Sequence, residues 1–231
     1  MATGLPNWLP SSILPFLLLL IFVLPWPSAA YRKVTQGIFP PTCARVECPT
    51  FDVIDKGNAY EIRRYNSTVW MSTASMEGIS FVNTTRTGFL QLFDYVKGKN
   101  ENGTKMEMTA PVTTEVSTSK VPPKESFVTS FYIGKRYQAN PPSARGLHPQ
   151  KWSLKYAAVR QFGGYATDAG VPLEAAALDA SLKGSKWAPS VDKSRKANPT
   201  VLYTVAQYSA PFRTSGRVNE IWMLFDDTAT A

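Results

Sequence analysis

The chain has 231 residues, 44% of them hydrophobic and 12% aromatic, with a formal charge of +8. That is material for one large or two small folded domains with an ample core. The basic residues are scattered (Arg63-Arg64, Lys97 and Lys99, Lys183 to Lys196) rather than interleaved with aromatics along a stripe. This argues against nucleic acid as a partner and leaves acidic walls, membrane surfaces or an anionic ligand.

Residues 1–30 contain no Lys, Arg, Asp or Glu. Ile13 to Leu24 is almost wholly apolar, interrupted by Pro15, and Ser28-Ala29-Ala30 supplies small residues at its end. The pattern reads as a secretory signal peptide cleaved after Ala30, although the basic n-region is missing, with a signal anchor as the other reading. The apolar run is too short to span a bilayer comfortably, so no stable membrane span is expected after cleavage. The expected destination is the secretory pathway, ending in the extracellular space (the apoplast) or a vacuole.

Residues 31–50 read as an irregular arm holding Cys43 and Cys48, the chain's 2 cysteines. An even count in a secreted chain predicts a disulfide, and closing so short a loop contributes about 2 kcal/mol. Two cysteines and one histidine cannot build a four-ligand structural zinc site. Asn66-Ser67-Thr68, Asn83-Thr84-Thr85 and Asn102-Gly103-Thr104 are N-glycosylation acceptors, whereas Asn198-Pro199-Thr200 is excluded by its proline.

Farther along, Phe51 to Ile54 reads as a short strand turned by Asp55 to Asn58. Ala59 to Tyr65 and Val69 to Met76 follow as two strands. Ser80 to Asn100 has a helical pattern. Glu107 to Val116 is predicted as a strand with Pro111 at an edge, bulge or loop start, and Ser126 to Ile133 is the clearest strand. Asn140 to Pro149 reads as a loop separating two halves. Trp152 to Phe162 and Tyr165 to Thr167 resume strands, and Leu173 to Lys183 is a short Ala-rich helix. Gly184 to Pro199 is basic and loop-like, and Val201 to Tyr208 and Asn219 to Phe225 close the set. Strands around two helices predict an α+β fold with a curved, largely antiparallel sheet.

The halves echo each other. Lys105-Met-Glu-Met-Thr-Ala-Pro-Val112 returns as Gln207-Tyr-Ser-Ala-Pro-Phe212. Phe89 to Gly98, ending Val-Lys-Gly, returns as Ala175 to Gly184, ending Leu-Lys-Gly. Features in one order at similar spacing predict a single domain over 51–228, built from pseudo-symmetric repeats at about 51–134 and 150–226.

The two helices differ. On a wheel from Arg86, the apolar residues Tyr95, Gly88, Leu92, Val96 and Phe89 cover roughly 180° to 300°. Leu90 and Phe93 fall on a second arc, bracketed by Arg86 and Lys97. That apolar arc is wider than a helix needs to cover one sheet face, so the excess is a candidate site for a flat apolar ligand carrying acidic groups. The other reading is a buried helix with two charges snorkelling past its edge. Leu173 to Lys183 has no second face.

Catalytic patterns are missing. There is no nucleophile elbow, P-loop or dinucleotide fingerprint. His148 lies in a Pro-rich stretch and reads as an exposed loop residue. Glu61 and Glu107 are a candidate acid-base pair, with solvation or pairing to arginine the simpler account.

Tyr60-Glu-Ile-Arg-Arg-Tyr65, Gly88 to Asn100, Lys105-Met-Glu-Met-Thr-Ala-Pro-Val112 and Asn219-Glu-Ile-Trp-Met-Leu224 resemble the SOUL haem-binding protein family. The signal peptide and cysteine arm resemble its secreted plant branch. The resemblance covers about Phe51 to Phe225. It implies a distorted antiparallel β-barrel of two βαβ-type repeats with two helices, binding haem or related porphyrins on the first helix and a loop of the second half. Matching helix positions are Arg86, Phe89 and Phe93, with Leu90 and Lys97 on the same face. The matching loop runs around Tyr208 to Phe212. Arg64 stands where SOUL-type members carry a histidine proposed as an iron ligand, so no histidine axial ligand and no protein metal site are expected, and haem would be held by apolar packing and charge pairing or through a Tyr or Met ligand. The resulting expectation is a secreted, glycosylated, monomeric and non-enzymatic tetrapyrrole carrier, buffer or scavenger. The alternative is a protein- or cell-wall-interaction module on the same fold that no longer binds porphyrin. A third reading is an enzyme acting on a small hydrophobic substrate through Glu61 or Glu107.

Overall fold

The computed structural model describes residues 35–36, 40–122 and 124–226. The signal-peptide reading lies outside the described residues. After a short strand β1 (Thr35–Gln36), a 3-10 turn at Pro41–Ala44 leads into β2 (Phe51–Lys56), β3 (Glu61–Thr73) and β4 (Met76–Gly78). Helix α1 (Phe81–Val96) precedes β5 (Val112–Thr118) and β6 (Glu125–Tyr132), and a second 3-10 turn (Lys135–Tyr137) leads to β7 (Leu147–Gly163). Then come α2 (Gly170–Leu182), α3 (Ala188–Ala197), β8 (Val201–Gln207) and β9 (Val218–Phe225).

Strands β3, β7, β9, β8, β5 and β6 pair in that order, all antiparallel, and β6 returns to β3 through Trp70 opposite Tyr132. The ring is a closed barrel. β2 flanks the first strand outside the ring and carries β1, and β4 flanks β6. In each half the last strand lies between the other two: β6 between β3 and β5, and β9 between β7 and β8.

Alternation assigns the faces. On β9, Ile221, Met223 and Phe225 pack outward with Val171, Ala175, Leu178 and Leu182 of α2 and Val191 of α3, while Trp222 joins the interior cluster. On β6, Phe131 packs with Met71 and with Leu92, Tyr95 and Val96 of α1. Gly88 permits that close approach, since a Cβ there would meet the Thr129 side chain at 2.4 Å.

Inside, Tyr65, Trp70, Trp152, Trp222 and Tyr132 pack ring against ring, with centroids 5.2 to 6.2 Å apart. Beneath the disulfide arm this cluster contains a buried ion pair. The Arg63 guanidinium donates to both Glu220 oxygens at 2.9 Å, and Glu220 also accepts from Tyr208 Oη and Trp222 Nε1. Burial alone would push the Arg63 pKa down, but the Glu220 carboxylate beside it raises it instead and keeps the guanidinium charged. The Cys43–Cys48 bond is formed, with Cys48 and Phe51 packed over these rings. Glu47 accepts from Ala110 N–H and pairs with Thr109, so the arm is stitched to the first Ala-Pro step.

Several predicted boundaries move. Ala59 to Tyr65 and Val69 to Met76 merge into β3 because Ser67, at φ 43°, carries the chain through instead of ending it. Across that residue the interior register changes from odd (Arg63, Tyr65) to even (Trp70). The predicted 140–149 loop ends early, since β7 begins at Leu147 and pairs with Thr73, so His148 is in a strand. Tyr165 to Thr167 is not a strand, and β5 starts at Val112 rather than Glu107. The stretch read as a loop at 184–199 contains α3. Proline sits in its first turn, Arg195 and Lys196 in its last, and Val191 alone is buried, so no apolar stripe marks it. Three helices, not two, therefore pack on the barrel among the described residues.

Candidate functional site

Helix α1 begins at a built cap. The Ser80 hydroxyl accepts from Asn83 N–H and donates to Asp168, whose carboxylate also accepts from Val82 N–H. This ties the helix start to the β7–α2 loop and brings Tyr165 and Ala166 beside it. The β8–β9 connection forms the opposite wall. Val218 N–H donates to Ser209, and Arg217 Nη1 donates to the carbonyls of Ala210 at 2.9 Å and Arg213 at 2.7 Å. Arg217 also lies 4.4 Å over the Tyr165 ring, so one buried guanidinium sets both loops.

Between these walls is an open cleft of about 370 Å³. Val82, Arg86, Phe89 and Leu90 line it from α1, Val112 from β5, and Ser209 and Pro211 from the loop. Leu90 is 52% exposed, and Val82 and Tyr165 are also exposed, an apolar concentration uncommon on a free surface. Arg86 is exposed and has no ion-pair partner among the described residues.

The sequence-derived residues divide by place. Arg86, Phe89 and Leu90 meet in the cleft. Phe93 stacks on Phe89 with centroids 5.8 Å apart, and Lys97 covers the outer Phe93 face at 5.3 Å, beyond the cleft lining. Tyr208 turns into the barrel, where burial and the Glu220 charge raise its pKa well above normal, so its ring is not part of this wall. Phe212 is 87% exposed at the loop tip. Arg64 pairs with Asp52 at 2.8 Å across β2 and β3. Glu61 bridges Lys56 and Arg63, and Glu107 is exposed. Asn66, Asn83 and Asn102 are all exposed.

Arg217 and Tyr165 were missed by sequence reasoning. The repeated Ala-Pro step marks the loop, but nothing local shows that an arginine seven residues later folds back onto it.

The profile described as "SOUL heme-binding protein" matches residues 46–224. Heme-binding protein 2 of Mus musculus is 32% identical over 75% of this chain and 81% of its own length. Heme-binding protein 2 of Homo sapiens is 31% identical over 87% and 92%. Among solved structures, the EcmrR C-terminal domain superposes with a TM-score of 0.47 at 8% identity, over 73% of this chain and 98% of that one.

Proposed function

Because the chain belongs to the SOUL haem-binding protein family, we propose that it binds haem or a related tetrapyrrole in the cleft between α1 and the β8–β9 loop. The observation that carries the reading is the pairing of exposed apolar walls (Leu90, Val82, Tyr165) with an ion-pair-free Arg86 at their margin. A flat ring buries its faces on such walls, and its carboxylates find a guanidinium. Among the described residues the cleft lining holds no His, Cys or Met, and Tyr165 is its one side chain of a haem-ligating type, so apolar packing and charge pairing supply most of the affinity. The role is binding, as carrier, buffer or scavenger, rather than catalysis. The apolar leader and disulfide arm support secretion, and Asn66, Asn83 and Asn102 are accessible acceptors for glycans.

Absorbance titration of the mature chain with haemin and with metal-free protoporphyrin tests this. The two affinities are expected to agree within about tenfold, or about 1.4 kcal/mol, less than a good axial bond contributes. Arg86→Ala is expected to weaken both severalfold and to reduce their salt dependence, with little effect on stability. Unchanged affinity in Arg86→Ala removes the site. Failure of wild type to bind either porphyrin turns the assignment to an interaction module.

A further inference from the structure

The barrel interior is filled unevenly. Rings and the Arg63–Glu220 pair occupy the end under the disulfide arm, beside a cavity of about 650 Å³ lined by Pro40, Pro41, Glu61 and Arg63. At the other end lie cavities of about 190 and 410 Å³, and Glu115, Gln150, Trp152, Thr204 and Leu224 line both. The larger one opens sideways because the β8–β9 ladder stops at Thr204 opposite Trp222, leaving Met223 to Phe225 without a partner on β8. Val191, Ser194 and Arg195 of α3 lie along that gap.

Glu115 sits in the shared wall. The Ser117 hydroxyl approaches it at 3.5 Å, and no lysine or arginine among the described residues pairs with it. Burial raises its pKa above the ordinary 4.5, and the Ser117 hydrogen bond opposes that only in part. A half-buried carboxylate without a cation is uncommon in a folded interior. Beside it are the indoles of Trp222, fully buried, and Trp152, 9% exposed, whose faces attract cations. Thr204 and Gln150 supply polar contacts. Of the cations at the mouth, Lys155 pairs with Asp226 and Arg195 with Asp179, while Lys151 has no ion pair among the described residues.

We propose that this end of the barrel is a second binding site, for a compact organic amine whose ammonium meets Glu115 and whose apolar body lies against Trp152 and Trp222. Cavities of about 190 and 410 Å³ have room for a small ligand. It shares no lining residue with the cleft; the two lie on opposite faces of β5, with Val112 in one and Thr113 and Glu115 in the other. The proposal therefore does not depend on porphyrin binding.

Binding requires ionised Glu115, so it strengthens as pH rises through the raised Glu115 pKa. The other titratable groups facing the site are His148, Lys151 and Lys155 from β7, Tyr203 from β8, Arg195 from α3 and Asp226 after β9. Benzylamine is the probe and benzyl alcohol its neutral counterpart, read by tryptophan fluorescence and calorimetry on the mature chain. Saturable benzylamine binding is expected, at least tenfold tighter than benzyl alcohol and weakening below the Glu115 midpoint. Glu115→Gln is expected to reduce it at least tenfold while leaving benzyl alcohol unchanged, and Glu115→Asp to retain part of it. His148→Gln should keep the pH dependence and Arg86→Ala the affinity. Circular dichroism and thermal melts establish that the variants fold. No saturable benzylamine binding by wild type, equal affinity for the alcohol, or full affinity in Glu115→Gln overturns the proposal.

Discussion

Glu220 on β9 and Glu115 on β5 both point into the barrel, toward opposite ends of it. Glu220 is fully buried and accepts from Arg63, Tyr208 and Trp222 at 2.7 to 2.9 Å. Glu115 has one hydroxyl at 3.5 Å and open volume in front of it. The arm end thus satisfies its charge internally, even though a cavity of about 650 Å³ lined by Pro40, Pro41, Glu61 and Arg63 opens beside the pair. The open end leaves its charge for something outside the chain to satisfy. Burial alone would call both glutamates structural; their partners separate them.

Breaking the satisfied end has the largest expected effect. Arg63→Ala or Glu220→Ala leaves a buried charge without its partner and is expected to cost about 3–5 kcal/mol in urea unfolding. The double substitution Arg63→Met with Glu220→Leu is expected to recover most of that loss, because neither ion then remains to be desolvated. Equal losses in the single and double variants would show that the rings, not the charges, hold this end.

The arm that covers the same end is next. Cys43→Ser with Cys48→Ser removes a short-loop crosslink and is expected to cost about 2 kcal/mol. The loss should be local. Amide exchange should quicken at Ala110, whose N–H donates to Glu47 of the arm, and not along β5 beside Glu115. Uniform acceleration through the barrel would mean the two ends are not energetically separable.

Which parts of this were legible in the sequence follows from what alternation reports. The wide apolar face of α1 was visible because Leu90 and Phe93 exceed what one sheet face needs, and of the residues named with them Arg86, Phe89 and Leu90 line one cleft. Tyr208 was placed on the loop but faces Glu220, since a strand-end residue can turn either way and only the buried pair decides. The open barrel end was not legible. Thr113, Glu115 and Ser117 alternate with Val112, Thr114 and Val116, a pattern that describes a polar lumen and an exposed sheet face equally well. His148 read as a loop residue because Pro149 follows it, yet β7 already pairs there and directs it to the lumen.

The smallest expected effect concerns the unsatisfied end and separates its stability from its binding. The folded-state pKa of Glu115 is raised by burial, so the native state holds that proton more firmly than the unfolded chain does. Below the unfolded value of 4.5 the group costs nothing. As pH rises from there through the folded pKa, stability falls, and above it the deficit is constant. Glu115→Gln carries no such proton. It should match wild type at low pH and exceed it at neutral pH, by less than about 1 kcal/mol for a partly exposed carboxylate. Paired thermal melts across the acid range measure that divergence. Saturating benzylamine should remove the wild-type deficit while leaving Glu115→Gln unmoved, because the amine supplies the cation the fold omits. A Glu115→Gln variant less stable than wild type at neutral pH would instead make Glu115 a structural group like Glu220, with an internal partner that stabilises its charge.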